Sequence, residues 1–247
     1  MASPHPDWIV PDWPAPGNVR ALITTRAGGT SQGPYASCNL GLRTDDDPRA
    51  VSANRAQLEK LLPQAPRWLR QVHGAAVVEA DALADTPEAD AAVARRAGTV
   101  CGVLVADCIP VLLADRAGTA IGAAHAGWRG LAAGVIPNVV ERMGVAPRDL
   151  IAYLGPGIGP TAFEVGRDVL DAFVTRDAGA QAAFAPHAPG KWLADLFLLA
   201  RRSLQRAGVK DIHGGGLCTY SDAARFFSYR RERATGRMAA VIWMKPV

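Results

Sequence analysis

Among the five histidines and four cysteines of this chain, His73, Cys108 and His125 stand at or near the ends of predicted strands and form a possible set for metal binding or nucleophilic chemistry. Two imidazoles and a thiolate suit Zn2+, and three protein ligands with an open fourth position form the catalytic zinc pattern. The same triple describes a blue-copper site, which takes two His and one Cys. A third chemistry needs no metal: Cys108 as nucleophile, with His125 or His73 as base, attacking an amide. The spacings of 35 and 17 residues match no local metal motif, so the residues leave these readings open. A multicopper oxidase is harder to support, because the chain has only five His, including one near the start and one in a long connection (His5 and His187). Asp107, beside Cys108, is either a proton carrier or an ion pair or cap.

The elements around these residues have to place them. Residues 99–131 hold two near-continuous apolar runs, one ending at Asp107-Cys108 and the other at His125. Runs this short, bounded by turn residues, predict buried strands. Pro110 pins the backbone after Cys108. Gly127 and Gly130 around Trp128-Arg129 then open a helix over 131–143, closed by Gly144, a turn able to receive an anion. Residues 68–78 alternate like a strand, with Leu69, Gln71 and His73 on one face.

The rest of the pattern is mixed. Residues 1–18 carry five prolines and two tryptophans and read as an irregular arm on the surface, leaving 19–247 as one domain. Strands are predicted at 19–25, 151–154 and 238–244, and helices at 49–62, 168–175 and 193–207. The Asp45-Asp-Asp-Pro48 run suits the start of the first helix. Residues 91–97 read as a short helical turn, and 176–192 as a long connection. The Gly loop Arg26-Ala-Gly-Gly-Thr-Ser31 is an anion nest or a simple turn. Gly155-Pro-Gly-Ile-Gly-Pro160 has the wrong glycine spacing for a dinucleotide fingerprint and reads as a shaped wall. Residues 225–233 interleave Arg with aromatics, as a cleft edge or a hairpin would.

Composition sets bounds on partners. Hydrophobic content is 49%, charged content 20% and net charge +4, with Arg supplying nearly all the positive charge. Scattered Arg favours a small anion through its bidentate fork over nucleic acid. No apolar run approaches the ~18 residues of a membrane span, and the first residues show neither the basic nor the apolar region of a signal peptide. A cytoplasmic protein is expected, with Cys38, Cys101, Cys108 and Cys218 reduced.

Several motifs occur together: Thr25-Arg-Ala-Gly-Gly-Thr-Ser31, Asn54-Arg55, Arg70-Gln-Val-His-Gly74, Ala106-Asp-Cys-Ile-Pro110, His125-Ala-Gly-Trp-Arg-Gly130, Leu154-Gly-Pro-Gly-Ile158 and Phe226-Phe-Ser-Tyr-Arg-Arg231. In this combination the chain resembles the YfiH-like family, labelled as polyphenol oxidases or laccases and associated with purine nucleoside phosphorylase activity. The resemblance implies a single-domain α+β fold in α/β/β/α layers with mixed sheets. It also implies that His73, Cys108 and His125 bind zinc; the softness of these ligands would let copper replace it in vitro. The activities it implies are phosphorolysis of adenosine, inosine, guanosine and methylthioadenosine, and deamination of adenosine. Editing of peptidoglycan precursors is attributed to some members. On this reading Cys108, His125 and Asp107 are catalytic, and Arg26, Gln71, Arg129, Phe226 and Phe227 hold purine nucleoside and phosphate; plain core packing is the equal alternative for Phe226 and Phe227. Neither nucleic acid nor membrane is an expected partner, and the protein is a monomer or homodimer.

Overall fold

The apolar runs flanking Cys108 and His125 are strands buried on both faces, and strand alternation sorts their side chains between two layers. The computed structural model describes residues 3–246. In chain order the first elements are β1 (Val19–Ile23), α1 (Pro48–Glu59), β2 (Val77–Glu79), β3 (Ala91–Ala94), β4 (Val100–Val105), β5 (Ile109–Asp115) and β6 (Ile121–Ala126). Next come α2 (Trp128–Ala133), α3 (Val135–Met143), β7 (Leu150–Leu154), β8 (Glu164–Gly166), α4 (Arg167–Val174), β9 (Phe184–Ala188) and β10 (Lys191–Ala194). The last are α5 (Leu196–Arg206), β11 (Asp211–Gly214), α6 (Tyr229–Glu232) and β12 (Met238–Met244).

The strands form a six-stranded sheet, β11-β7-β5-β6-β3-β2, and two three-stranded sheets, β1-β12-β4 and β8-β10-β9. The large sheet is mixed: β11 with β7 and β2 with β3 are parallel, and its other pairs are antiparallel. Val111 and Leu113 of β5 face a core shared with α3 and α5, whereas Leu112 and Ala114 face the sheet β1-β12-β4. On that smaller sheet Ala240 and Ile242 face inward, while Ala239 and Val241 pack outward with Leu58 of α1 and Leu40. Period-two alternation thus produces four layers in one domain: helices, large sheet, small sheet, and α1.

Several expected elements differ. Residues 68–78 do not form a continuous strand, because the N–H groups of Val72, His73 and Gly74 donate to the Asp90 carboxylate instead of to a neighbouring strand. Residues 91–94 are a strand, not a helical turn; small Ala side chains fit between two packed layers as readily as on a helix. The helix expected over 131–143 is two helices broken at Gly134, whose φ is 96°. The connection at 176–192 contains a 3-10 segment and the strands β9 and β10. The 225–233 segment ends in the short helix α6. Within 1–18, Trp8 is buried and Ile9 pairs with Ile23.

Asn54, fully buried on α1, ties the Gly loop to the loop after it. Its Oδ1 accepts from Thr30 N–H at 2.8 Å, and its Nδ2 donates to Ser31 Oγ and to the carbonyls of Ser37 and Asn39. Asn54→Ala strands several buried polar groups, each costing about 1–3 kcal/mol. We expect the urea unfolding midpoint to fall by an amount equivalent to about 3 kcal/mol, with an unchanged slope.

Candidate metal centre and its cavity

Strand register puts two of the three ligands together. In the antiparallel pair β5–β6, Ile109 lies opposite Ala126 and Pro110 opposite His125. Cys108, one residue before β5, therefore comes opposite Gly127. A Cβ on Gly127 would lie 2.6 Å from Cys108 Sγ and 3.3 Å from His73 Cδ2, so only glycine leaves the space between them. His73 arrives from the irregular segment before β2 with φ of 61°, a strained value for a residue with a side chain. The ligand atoms of His73, Cys108 and His125 all lie within 4.8 Å of one another. His73 is exposed, Cys108 half-buried and His125 buried, so the trio opens to solvent on one side.

Asp90 holds the two histidines in place. Its Oδ1 accepts from His73 N–H at 3.0 Å and faces His125 Nδ1 at 2.8 Å, while its Oδ2 accepts from Gly74 N–H at 2.7 Å. A carboxylate on Nδ1 places the proton there and leaves Nε2 of His125 as the free ligand nitrogen. Although burial opposes ionisation, His125 and the N–H groups of Gly74 and Val72 keep the Asp90 carboxyl below its usual range. Burial likewise opposes the Cys108 thiolate, but the two imidazoles bring its pKa down to about 6. Burial also disfavours the His125 imidazolium, yet Cys108 and Asp90 raise it to about 9. A stabilised thiolate is the form that ligates a metal. Cys38 shows the opposite case, its thiol pushed up to about 12 by burial, and burial pushes Cys101 up as well.

The trio lines a cavity of about 1040 Å³. Trp68, Trp128, Phe163 and Tyr229 supply its aromatic surface. Arg43, Arg55, Arg70, Arg129, Arg230, Arg233 and Arg237 also line it, against a single carboxylate, Asp107. Among the described residues, only Arg70 of these seven has an ion-pair partner, Glu88 at 2.7 Å. Arg129 is exposed and stacks on Trp128.

The expected substrate residues divide. Arg129, Asp107 and Gln71 line the cavity, but both polar atoms of the Gln71 amide are occupied by the backbone of Leu104. Asp107 accepts from Thr219 Oγ1 at 2.6 Å and from Arg230 N–H at 2.7 Å, which ties it to the first turn of α6. Arg26 lies elsewhere: it is paired with Glu232 and bonded to the carbonyls of Ala36 and Ala223. The Gly loop is a turn and not an anion nest, because Gly29 and Thr30 donate their N–H groups to Ser37 and Asn54. Phe226 and Phe227 are fully buried with Val105 and Met238, so they are core and do not face a base. The sequence did not single out Asp90, which bonds both histidines, or Trp68, Phe163 and the arginines other than Arg129 that line the cavity. The available signal for Asp90 was its place as the last acid of the acidic stretch 79–90, just ahead of the apolar run 91–94.

A family model described as a multi-copper polyphenol oxidoreductase laccase matches residues 20–245. The chain belongs to this laccase family. It is 54% identical to "Purine nucleoside phosphorylase PA4543" of Pseudomonas aeruginosa, over 96% of this chain and 98% of that protein. It is 50% identical to "Purine nucleoside phosphorylase YfiH" of Escherichia coli, over 96% of this chain and 98% of that one. The crystal structure of Neisseria meningitidis protein NMB0706 superposes with a TM-score of 0.94 at 51% identity, covering 97% of this chain and all of that one. For a chain of this laccase family, the described residues bring together one cluster of three metal-ligand side chains, the His73-Cys108-His125 trio.

Cys108→Ala is expected to lower bound metal from about one ion per chain to near zero, whereas Ala at Cys38, Cys101 or Cys218 leaves it in place. Asp90→Asn, which removes the charge behind His125, should weaken metal binding roughly 10–100-fold. Elemental analysis and competition with a chelator measure both.

Proposed function

We propose that the protein is a zinc-dependent purine nucleoside phosphorylase acting on adenosine, inosine, guanosine and methylthioadenosine, with adenosine deaminase activity. The observation that carries this reading is one cavity combining the His73-Cys108-His125 trio, flat aromatic side chains and arginines without carboxylate partners. Relatives named as purine nucleoside phosphorylases match nearly the whole chain. The donor set fits zinc: thiolate and imidazole are its usual ligands, and the space kept free at Gly127 lies between two of them. When bound, zinc supplies a Lewis acid that polarises oxygen and lowers the pKa of water.

In phosphorolysis a phosphate oxygen bonds to ribose C1′, the bond from C1′ to the purine nitrogen breaks, and the base leaves. The arginines of the cavity hold the phosphate and offset its charge. Trp68, Trp128, Phe163 and Tyr229 offer faces on which a purine stacks. Asp107, the cavity's carboxylate, is the group proposed to carry the proton that the departing base requires. Deamination, in which water replaces the C6 amine, needs no phosphate.

A second reading is favoured by one observation. Cys108 with a lowered thiol pKa beside His125 is also a nucleophile–base pair, as a thiol hydrolase acting on an amide would have. Copper occupation, the basis of phenol oxidation, follows from the softness of the same trio and is expected only in vitro.

Adenosine should yield adenine and ribose 1-phosphate only when phosphate is present. Arg129→Ala should lower kcat/KM for phosphorolysis by about fivefold, the worth of an exposed, solvent-screened charge at the cavity mouth. Arg129→Lys should lower it less, and deamination should suffer less from either change. Product analysis with and without phosphate tests this: equal adenine release in both buffers would indicate hydrolysis. No turnover of any nucleoside by the zinc-loaded protein would favour the thiol hydrolase.

A further inference from the structure

Two of the cavity's arginines are built into the fold in a way the others are not. Arg55 leaves α1 and donates its Nε to the carbonyl of Leu40 at 2.8 Å, with its guanidinium 4.6 Å from the Trp68 ring. That stack and that hydrogen bond fix the plane of the group. Its two terminal nitrogens have no protein partner among the described residues. Glu59, one turn along α1, acts on it only from beyond ion-pair distance.

Arg237 comes from the other end of the chain, just before β12, to the same backbone. Its carbonyl accepts from Leu40 N–H at 3.0 Å, and its own N–H donates to Asn39 Oδ1 at 2.8 Å. Its side chain runs over Gly41, where a Cβ would meet Arg237 Cγ at 2.8 Å and Thr44 Cγ2 at 3.2 Å. Nη1 donates to the carbonyls of Thr235 and Gly236, while Nη2 has no partner among the described residues. Arg237 lines the same cavity as Asp107 and Cys108.

Both arginines are half-buried, and neither has a carboxylate within ion-pair distance among the described residues; the Arg55 guanidinium is held by the Leu40 carbonyl and that of Arg237 by the carbonyls of Thr235 and Gly236, on a main chain that itself pairs with Leu40. Two partly desolvated cations that line one cavity without a counter-ion cost stability, and an anion bound there offsets that cost. Arg129, by contrast, is an exposed side chain resting on Trp128, where solvent screens it. Held in place in advance, the first pair gives up less freedom on binding an anion. We propose that Arg55 and Arg237 form the phosphate-binding subsite of the cavity, the phosphate group bridging their free nitrogens beside Gly41 and Thr44. The group belongs to inorganic phosphate or to a phosphate ester. Assigning it to the co-substrate of phosphorolysis rests on the function proposed above; the subsite itself does not.

The test is calorimetric titration of the zinc-loaded protein with inorganic phosphate and, separately, with adenosine 5′-monophosphate. Wild type is compared with Arg55→Met, Arg237→Met and the exposed control Arg148→Met. Each pocket variant should weaken binding at least tenfold with zinc content intact, and the control should not. In phosphorolysis the same variants should raise the KM for phosphate by a similar factor and leave the KM for nucleoside within about twofold. If either Met variant loses its zinc, the Lys variant at that position, which keeps charge but not the fork, replaces it with the same expectation. Phosphate binding without phosphorolysis would defeat the functional reading and leave the subsite standing. Binding of the monophosphate alone, lost in the same variants, would support the subsite and assign it to an ester. Unchanged phosphate affinity in folded Arg55 and Arg237 variants, or no binding of either probe by wild type, would overturn it.

Discussion

The Asp90 carboxylate is the interaction on which the centre depends. It lies fully buried just ahead of β3 and gathers three N–H groups from residues 72–74 together with the imidazole of His125. One charge therefore performs two tasks. It holds an irregular segment in the left-handed conformation that presents His73, and it sets the tautomer and direction of His125. A buried carboxylate without such partners would protonate. Here its hydrogen bonds keep it ionised, and beyond it the imidazole in its neutral form and the Cys108 thiolate supply the donors that a divalent cation can take.

The second constraint is spatial. Cys108 and His125 come from adjacent antiparallel strands, and the residue opposite Cys108 has to be Gly127 because a Cβ there would overlap the sulfur. Pro110 withdraws one ladder donor beside that position, and Gly155 N–H donates to the Pro110 carbonyl, which brings the Gly/Pro loop against the end of the strand. In that loop the N–H groups of Gly157 and Ile158 go to the carbonyls of Leu217 and Asp107, and Ile158 lines the cavity. The loop is a wall because its donors are already satisfied.

Charge divides the molecule. Away from the cavity, many arginines are paired: Arg26 with Glu232, Arg95 with Glu79, Arg116 with Asp211 and Arg202 with Asp177. Within the cavity six of the seven have no ion-pair partner among the described residues. The mild overall charge of +4 hides this asymmetry, because composition averages over a surface whose carboxylates sit elsewhere. The field inside a low-dielectric cleft follows the local arrangement of charges and not their sum.

Much of the layered architecture could be read from the sequence. Short, near-continuous apolar runs bounded by turn residues fit strands buried between layers, and 100–105, 109–115, 121–126 and 238–244 are strands. The trio was visible by residue type, but its spacing left metal and thiol chemistry open, and only the resemblance to the YfiH-like family pointed to a metal. The sequence did not show what surrounds it. Phe226 and Phe227 look like base-stacking residues in one dimension, yet packing against Val105 and Met238 makes them core. Arg26 looks as free as Arg55, and only the fold decides that Glu232, 206 residues away, pairs with the first while the second stays open. Asp90 carries no motif at all. Local pattern determined which segments are buried and what chemistry was present. Which polar groups are left without partners depends on contacts between residues far apart in the chain, and only the tertiary structure brings those together.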